Sequence, residues 1–153
     1  MSIDSVAITA AYLDSSDFWI RVSGRLGLKK PVTSEFDLFK AVHLGIGLKA
    51  SDALKSEGLG ASEITVIIEP RTLSHRRAKR QSLSPQEAER AARVSRLLTL
   101  AERVFGSHDK ALAWLRKPQR RLSGEKPMSL LASETGGRIV EEMLIQLDEG
   151  YFA

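Results

Sequence analysis

The 153-residue chain predicts an all-α fold. Three features carry that expectation. Capping residues stand before apolar runs, most clearly in Ser84-Pro85-Gln86-Glu87. Apolar residues recur at steps of three and four, as in Ala91, Val94, Leu98, Ala101 and Phe105, a single stripe. Glycines stand where such runs stop, as at Gly106 and Gly150.

Residues 1–32 are the least readable. DFWIRV (17–22) reads as a short strand or as an arm packed on the rest. Thr33 or Ser34 then caps a helix bearing Phe36, Phe39 and Lys40, with Ser34 and Asp37 at capping-box spacing. Gly45 and Gly47 end it. Ser51 opens a short helix through Ala53 and Leu54, stopped by Gly58. Ser62 caps SEITVII (62–68), whose β-branched residues alone favour a strand but whose capped surroundings favour a helix. Pro70 disfavours the α conformation at Glu69 and suits the first position of a new helix. Residues 62–80 therefore read as helix, short turn and basic helix, the helix-turn-helix arrangement.

The helix opened by Ser84 runs to about Phe105. Ser107 caps the next, with Ala111, Leu112 and Leu115 inward and Pro118 beyond its end. KPQRRLSGEKP (117–127) is a basic loop and MSLLAS (128–133) a short helix. A last helix over about 135–149 carries Val140, Met143, Leu144 and Leu147 on one face. Gly136-Gly137 at its start reads as room for close backbone packing. Seven or eight short helices are expected in all, roughly.

Composition narrows the function. Cysteine is absent, which excludes disulfides, thiolate metal sites and cysteine nucleophiles. No apolar run approaches the roughly 20 residues of a membrane helix. The N-terminus has acids where a signal peptide has bases, so the expected location is cytoplasmic, with no membrane contact. His43, His75 and His108 share no metal-ligand spacing, and no phosphate-binding GxxxxGK[ST] loop is present. Glu141 and Glu142 are adjacent on a helix and diverge by about 100°, a poor acid/base pair. No enzyme, metal or cofactor is expected.

The net charge of +4 matters less than its placement. RTLSHRRAKR (71–80) has no acid, whereas Glu141, Glu142, Asp148 and Glu149 close a stretch with no base after Arg138. The first suits a polyanion and the second a basic partner, although each also reads as a solvated helix face. In a recognition helix, Arg71, Thr72, Ser74, His75, Arg76, Arg77, Lys79 and Arg80 are the candidate DNA contacts, with Leu73 as inward anchor. Many such units serve only packing or dimerisation, and a single one binds DNA weakly.

These segments in order resemble the Xre/MbcA/ParS antitoxins. The resemblance is carried by Arg71–Arg77, by Leu83–Arg93 with Glu87 and Arg90, and by Ala101–Gly106. It continues through Trp114-Leu115, Pro127–Leu131, Thr135-Gly136-Gly137 with Val140, and Leu147–Gly150, covering about residues 35–153. It implies an Xre-like helix-turn-helix domain followed by a small helical toxin-binding domain. The expected division is 1–82, an N-terminal arm with the helix-turn-helix for DNA binding and dimerisation, and 83–153, with helix 84–105 as linker. It also implies a type II toxin–antitoxin pair whose partner is a RES-domain toxin that consumes NAD, operator DNA as a second partner, and a homodimer.

The C-terminal LDEGYFA then gains a reading. A cleft that holds NAD needs bases for the pyrophosphate and apolar walls for the rings. Asp148, Glu149, Gly150, Tyr151, Phe152 and Ala153 with its carboxylate offer both complements, with Arg138 as a secondary contact. The alternative is a tail packed on its own core. The loop cations from Arg116 to Lys126 read as solvated or as facing an acidic surface. Two competing readings remain: a plain helix-turn-helix regulator whose C-terminal half only dimerises, and a DNA-free adaptor.

Overall fold

The computed structural model describes residues 15–150, and every element among them is helical. The helices are α1 (Ser16–Arg25), α2 (Glu35–Leu44), α3 (Lys49–Ser56), α4 (Ala61–Ile64), α5 (Pro70–Ala78), α6 (Pro85–Phe105), α7 (His108–Arg116), α8 (Pro127–Leu130) and α9 (Glu134–Asp148). A 3-10 turn spans Arg120–Leu122. No helix among them is long and apolar enough to cross a membrane.

α6 is the axis. Ser84 accepts from the Glu87 N–H at 3.2 Å, and the Glu87 carboxylate takes the Ser84 N–H at 2.7 Å, so the capping box closes in both directions. Gly106 ends the helix at φ +67°. α1, α2, α3, α7 and α9 all pack on it. A helix surrounded in this way buries more than one stripe. Ala88, Ala92, Leu97 and Leu100 are buried along with the predicted Ala91, Val94, Leu98 and Ala101, whereas Phe105 is only half-buried, against Trp114. Apart from Met143, the buried apolar side chains from Phe18 to Leu144 form one cluster.

Several expectations need correction. DFWIRV is neither strand nor arm but part of α1, capped by Ser15. Phe18, Trp19, Val22 and Leu26 follow helical spacing and are fully buried, with the first two rings packed edge to face at 5.0 Å. Buried Ser23 accepts the Val32 N–H at 2.8 Å and so ties down the link to α2. Ser34 caps α2 as expected, but Asp37 reaches Thr33, one residue further back, at its N–H (3.2 Å) and its hydroxyl (2.5 Å). Ser51 does not open α3; it lies in the first turn, and its hydroxyl donates to the Leu48 carbonyl.

The segment capped in the sequence reading by Ser62 starts instead at Gly60, whose N–H donates to Glu63 at 2.9 Å. Its α-helix is a single turn, continued by tight turns through Ile67 and Ile68. The β-branched run and Pro70 account for that early end. Ile64, Ile67 and Ile68 are still buried, and the Arg90 side chain donates to the Ile67 carbonyl at 3.0 Å, holding the turn against α6.

Candidate functional site

α5 presents the basic segment. Glu69 is extended, Pro70 occupies the first helical position, and buried Leu73 anchors the helix. At the far end Arg80 adopts φ +56°. There the Gln81 N–H donates to the Arg76 carbonyl at 2.9 Å and the Arg80 N–H to the Arg77 carbonyl at 3.2 Å. This is a Schellman closure with arginine where glycine is usual.

The candidate DNA contacts divide into two groups. Arg71, Ser74, His75, Lys79 and Arg80 are exposed, and Thr72 is half-buried. Arg77 makes a two-toothed pair with Asp52 of α3, at 2.8 and 3.2 Å. Those hydrogen bonds, with the Asp52 charge, raise the Arg77 pKa. Arg76 is half-buried, lies 3.2 Å from the Glu87 carboxylate and donates to the Ser82 carbonyl at 3.1 Å. Arg76 and Arg77 thus brace α5 on α6 and α3.

The C-terminal block is built on close backbone approach. A Cβ at Gly136 would lie 2.1 Å from the Leu130 carbonyl oxygen, and one at Gly137 would lie 2.6 Å from the Arg93 side chain. Both glycines are buried, so the spacing inferred for them is realised. Arg93 donates to the Leu131 carbonyl at 2.9 Å, fixing α8 beside α6. Arg96 grips Glu141 of α9 at 2.5 and 3.2 Å. Ser133 caps α9; Leu144 is buried as expected, Leu147 is half-buried, and Ile145 is buried in addition.

Arg138 is exposed on the second turn of α9, Asp148 is exposed at its end, and Glu149 is half-buried. Gly150 follows at φ +80°. Tyr151, Phe152 and Ala153 lie outside the described residues. In the basic loop, Arg121 donates to Gln146 at 3.1 and 3.2 Å. Arg116, at the end of α7, bonds Glu63 at 2.6 and 2.8 Å and the Gly58 carbonyl at 2.7 Å, so it joins α7 to α4.

The sequence gives no hint of a buried polar joint between α1, α3, α6 and α7. Arg25, 2% exposed, donates to Thr99 at 2.7 Å, to Glu57 at 2.8 and 3.1 Å, and to Glu102. His108 points Nδ1 at Glu102 (2.8 Å) and Nε2 at the Glu57 carbonyl (2.6 Å). Both partners only accept, so both ring nitrogens donate and the imidazole is charged. Burial opposes that charge, but the bonds to Glu102 and Glu57 and the charge of both carboxylates outweigh it, and the His108 pKa is raised. Glu57, Glu102 and His108 offer ligand atoms within 4.8 Å of one another, a set able to take a metal ion. The Arg25 guanidinium already pairs with both carboxylates there.

Comparison with known proteins bears on the C-terminal block first. Residues 100–150 match the antitoxin Xre/MbcA/ParS C-terminal toxin-binding domain. The chain is 37% identical to an antitoxin Xre of Pseudomonas putida over 121 residues, covering 78% of this chain and 76% of that protein. It is 30% identical to an antitoxin Xre of Yersinia enterocolitica over 118 residues, 76% of this chain and 74% of the relative. A third antitoxin Xre, from Photorhabdus laumondii, is 31% identical over 84 residues, 54% of this chain and 57% of that protein.

Proposed function

The chain belongs to the Xre antitoxin family, and from that premise we propose that it neutralises a RES-domain, NAD-consuming toxin by covering the toxin's active site. The observation that carries the reading is the toxin-binding match at residues 100–150, which ends on the acidic end of α9. Arg138, Asp148 and Glu149 with the residues that follow, through Tyr151, Phe152 and Ala153, are the proposed toxin contacts. The mechanism is occlusion: the antitoxin lends no group to a reaction and removes access to one.

The second activity is autorepression through α4 and α5. Arg71, Ser74, His75, Lys79 and Arg80 meet phosphate and base edges, while Arg76 and Arg77 orient the helix. The halves 1–82 and 83–153 then divide DNA binding from toxin binding, although their apolar residues share one core cluster. A homodimer supplies two recognition helices for one operator.

The test uses the full chain and the product of the adjacent gene. The pair is expected to purify together, and NAD consumption by the isolated toxin is expected to fall to background as the antitoxin is titrated in. No complex, or full NAD loss in its presence, would sink the toxin assignment. Binding to promoter DNA by five or so phosphate contacts is expected to weaken by about two to three orders of magnitude between 50 and 200 mM salt. A flat salt response removes the repressor role and leaves toxin neutralisation untouched.

A further inference from the structure

We infer that α7 is a strap that sets the pitch of the helix-turn-helix unit, with Arg116 and its partner Glu63 as positioning residues for DNA recognition. This role rests on the DNA-binding reading above and extends it to a residue of the block matched to toxin binding. α4 is a single helical turn, and so short a helix does not hold its own geometry. It is reached through the turn 57–60. His108, Leu112 and Arg116 stand four residues apart and so lie along one side of α7. Each meets that turn. His108 Nε2 donates to the Glu57 carbonyl at 2.6 Å. Leu112 Cδ1 lies 3.5 Å from where a Cβ of Gly58 would stand, at a position with φ +102°. Arg116 donates to the Gly58 carbonyl at 2.7 Å.

Glu63 joins the strap to the helix. Its Oε1 accepts the Gly60 N–H at 2.9 Å and an Arg116 N–H at 2.6 Å, and its Oε2 accepts a second Arg116 N–H at 2.8 Å. The cap of α4 and the hold of α7 therefore share one carboxylate. A planar guanidinium on both oxygens fixes direction as well as distance. At the other end of the unit, Arg90 of α6 holds the Ile67 carbonyl at 3.0 Å. The segment that leads into α5 is thus fixed at its start by α7 and at its exit by α6.

A recognition helix reads base edges while the helix before it crosses the backbone. Hydrogen bonds to base edges demand their geometry, whereas phosphate contacts carry no sequence information. Loosening the strap therefore weakens recognition of one sequence more than attraction to any duplex.

The test uses the full chain and two variants that remove opposite charges, Arg116→Gln and Glu63→Gln. Fluorescence anisotropy compares the promoter duplex with an unrelated duplex of equal length. Each variant is expected to lose roughly 10-fold or more in promoter affinity, the equivalent of about one misread base pair. On the unrelated duplex the change is expected to stay below about 3-fold, with the salt slope unaltered. The double variant is expected to lose no more than either single one, because both break the same contact. Thermal melts are expected to move by no more than about 4 °C. Opposite signs for the two variants would show that charge, not position, is at work, and would overturn the inference. Equal losses on the two duplexes, or wild-type promoter affinity in both variants, would overturn it as well. Should Arg116→Gln misfold, Glu63→Gln decides by itself. A wild-type chain with no preference for the promoter removes the DNA-recognition reading and this role together, whereas a selective wild type with equally selective variants removes this role alone.

Discussion

Arg80 and Gly136 show how single residues set the limits of this fold. Arg80 sits at φ +56°, where an L-residue is strained and glycine is not. In the proposed DNA-binding role, what arginine supplies at this position is its charge. Arg80→Gly is expected to raise stability by about 0.5–1 kcal/mol, the relief of strain being partly offset by the looser unfolded chain. The same change is expected to lower the slope of log affinity against log salt for DNA by about one phosphate contact. Thermal melts and a salt titration on one preparation check both signs; a loss of stability would mean that Arg80 holds α5 rather than strains it. Gly136 is the opposite case. Its missing Cβ leaves room for a backbone carbonyl, which cannot swing aside. Gly136→Ala is therefore expected to cost about 3 kcal/mol, at the upper end of overpacking. Gly137→Ala meets only the flexible Arg93 stem and is expected to cost less. Denaturant midpoints of the two variants rank them.

Among the elements, the joint where α7 meets α1, α3 and α6 carries the pH dependence. His108 is charged in the fold and loses one donor on deprotonation, giving up its bond either to Glu102 or to the Glu57 carbonyl. Its pKa is raised on folding. The linkage sign follows: the folded state holds the proton more tightly than the unfolded chain. The contribution is complete below the unfolded value near 6.5 and declines as pH rises through the higher folded value. Wild-type melting temperature is expected to fall over that interval relative to His108→Gln, and parallel curves for the two proteins would refute the link. This joint was illegible in the sequence because its members lie far apart in the chain: Arg25 meets Glu57 and Glu102 only after α1 has docked. The capping of α6 and α7 was legible because Ser84 and Ser107 act within three residues of themselves, whereas Ser133, read as the end of a short helix, is the cap of α9. α1 was not legible because DFWIRV (17–22) covers less than two turns and stops short of Leu26, too little to show the helical period of Phe18, Trp19, Val22 and Leu26. α4 was overextended because the same β-branched run that buries well also ends an α-helix early.

At the scale of the whole molecule, the caps and glycines between Ser84 and Gly150 were enough to outline the C-terminal block. What they did not reveal was its attachment to the N-terminal half through Arg116–Glu63, Arg90–Ile67 and Arg25–Glu102. Such attachments make the carboxy end a fixed platform, since α9 is held to α6 by Arg96–Glu141 and by the glycine contacts. The helix closes with the Glu149 N–H on the Ile145 carbonyl at 3.0 Å and the Gly150 N–H on the Leu147 carbonyl at 3.1 Å. A chain cut after Gly150 keeps both bonds and the entire described core, so its melting temperature is expected to match wild type. What it loses is Tyr151, Phe152 and Ala153. If the two aromatics seat in the toxin cleft, each contributes about 2 kcal/mol, and toxin affinity is expected to fall roughly 1000-fold. Neutralisation of NAD consumption, titrated with both forms, reads this directly. A truncated chain that suppresses the toxin as well as wild type places inhibition on the bodies of α7 and α9, and the cleft-filling tail is then wrong even though the antitoxin function stands.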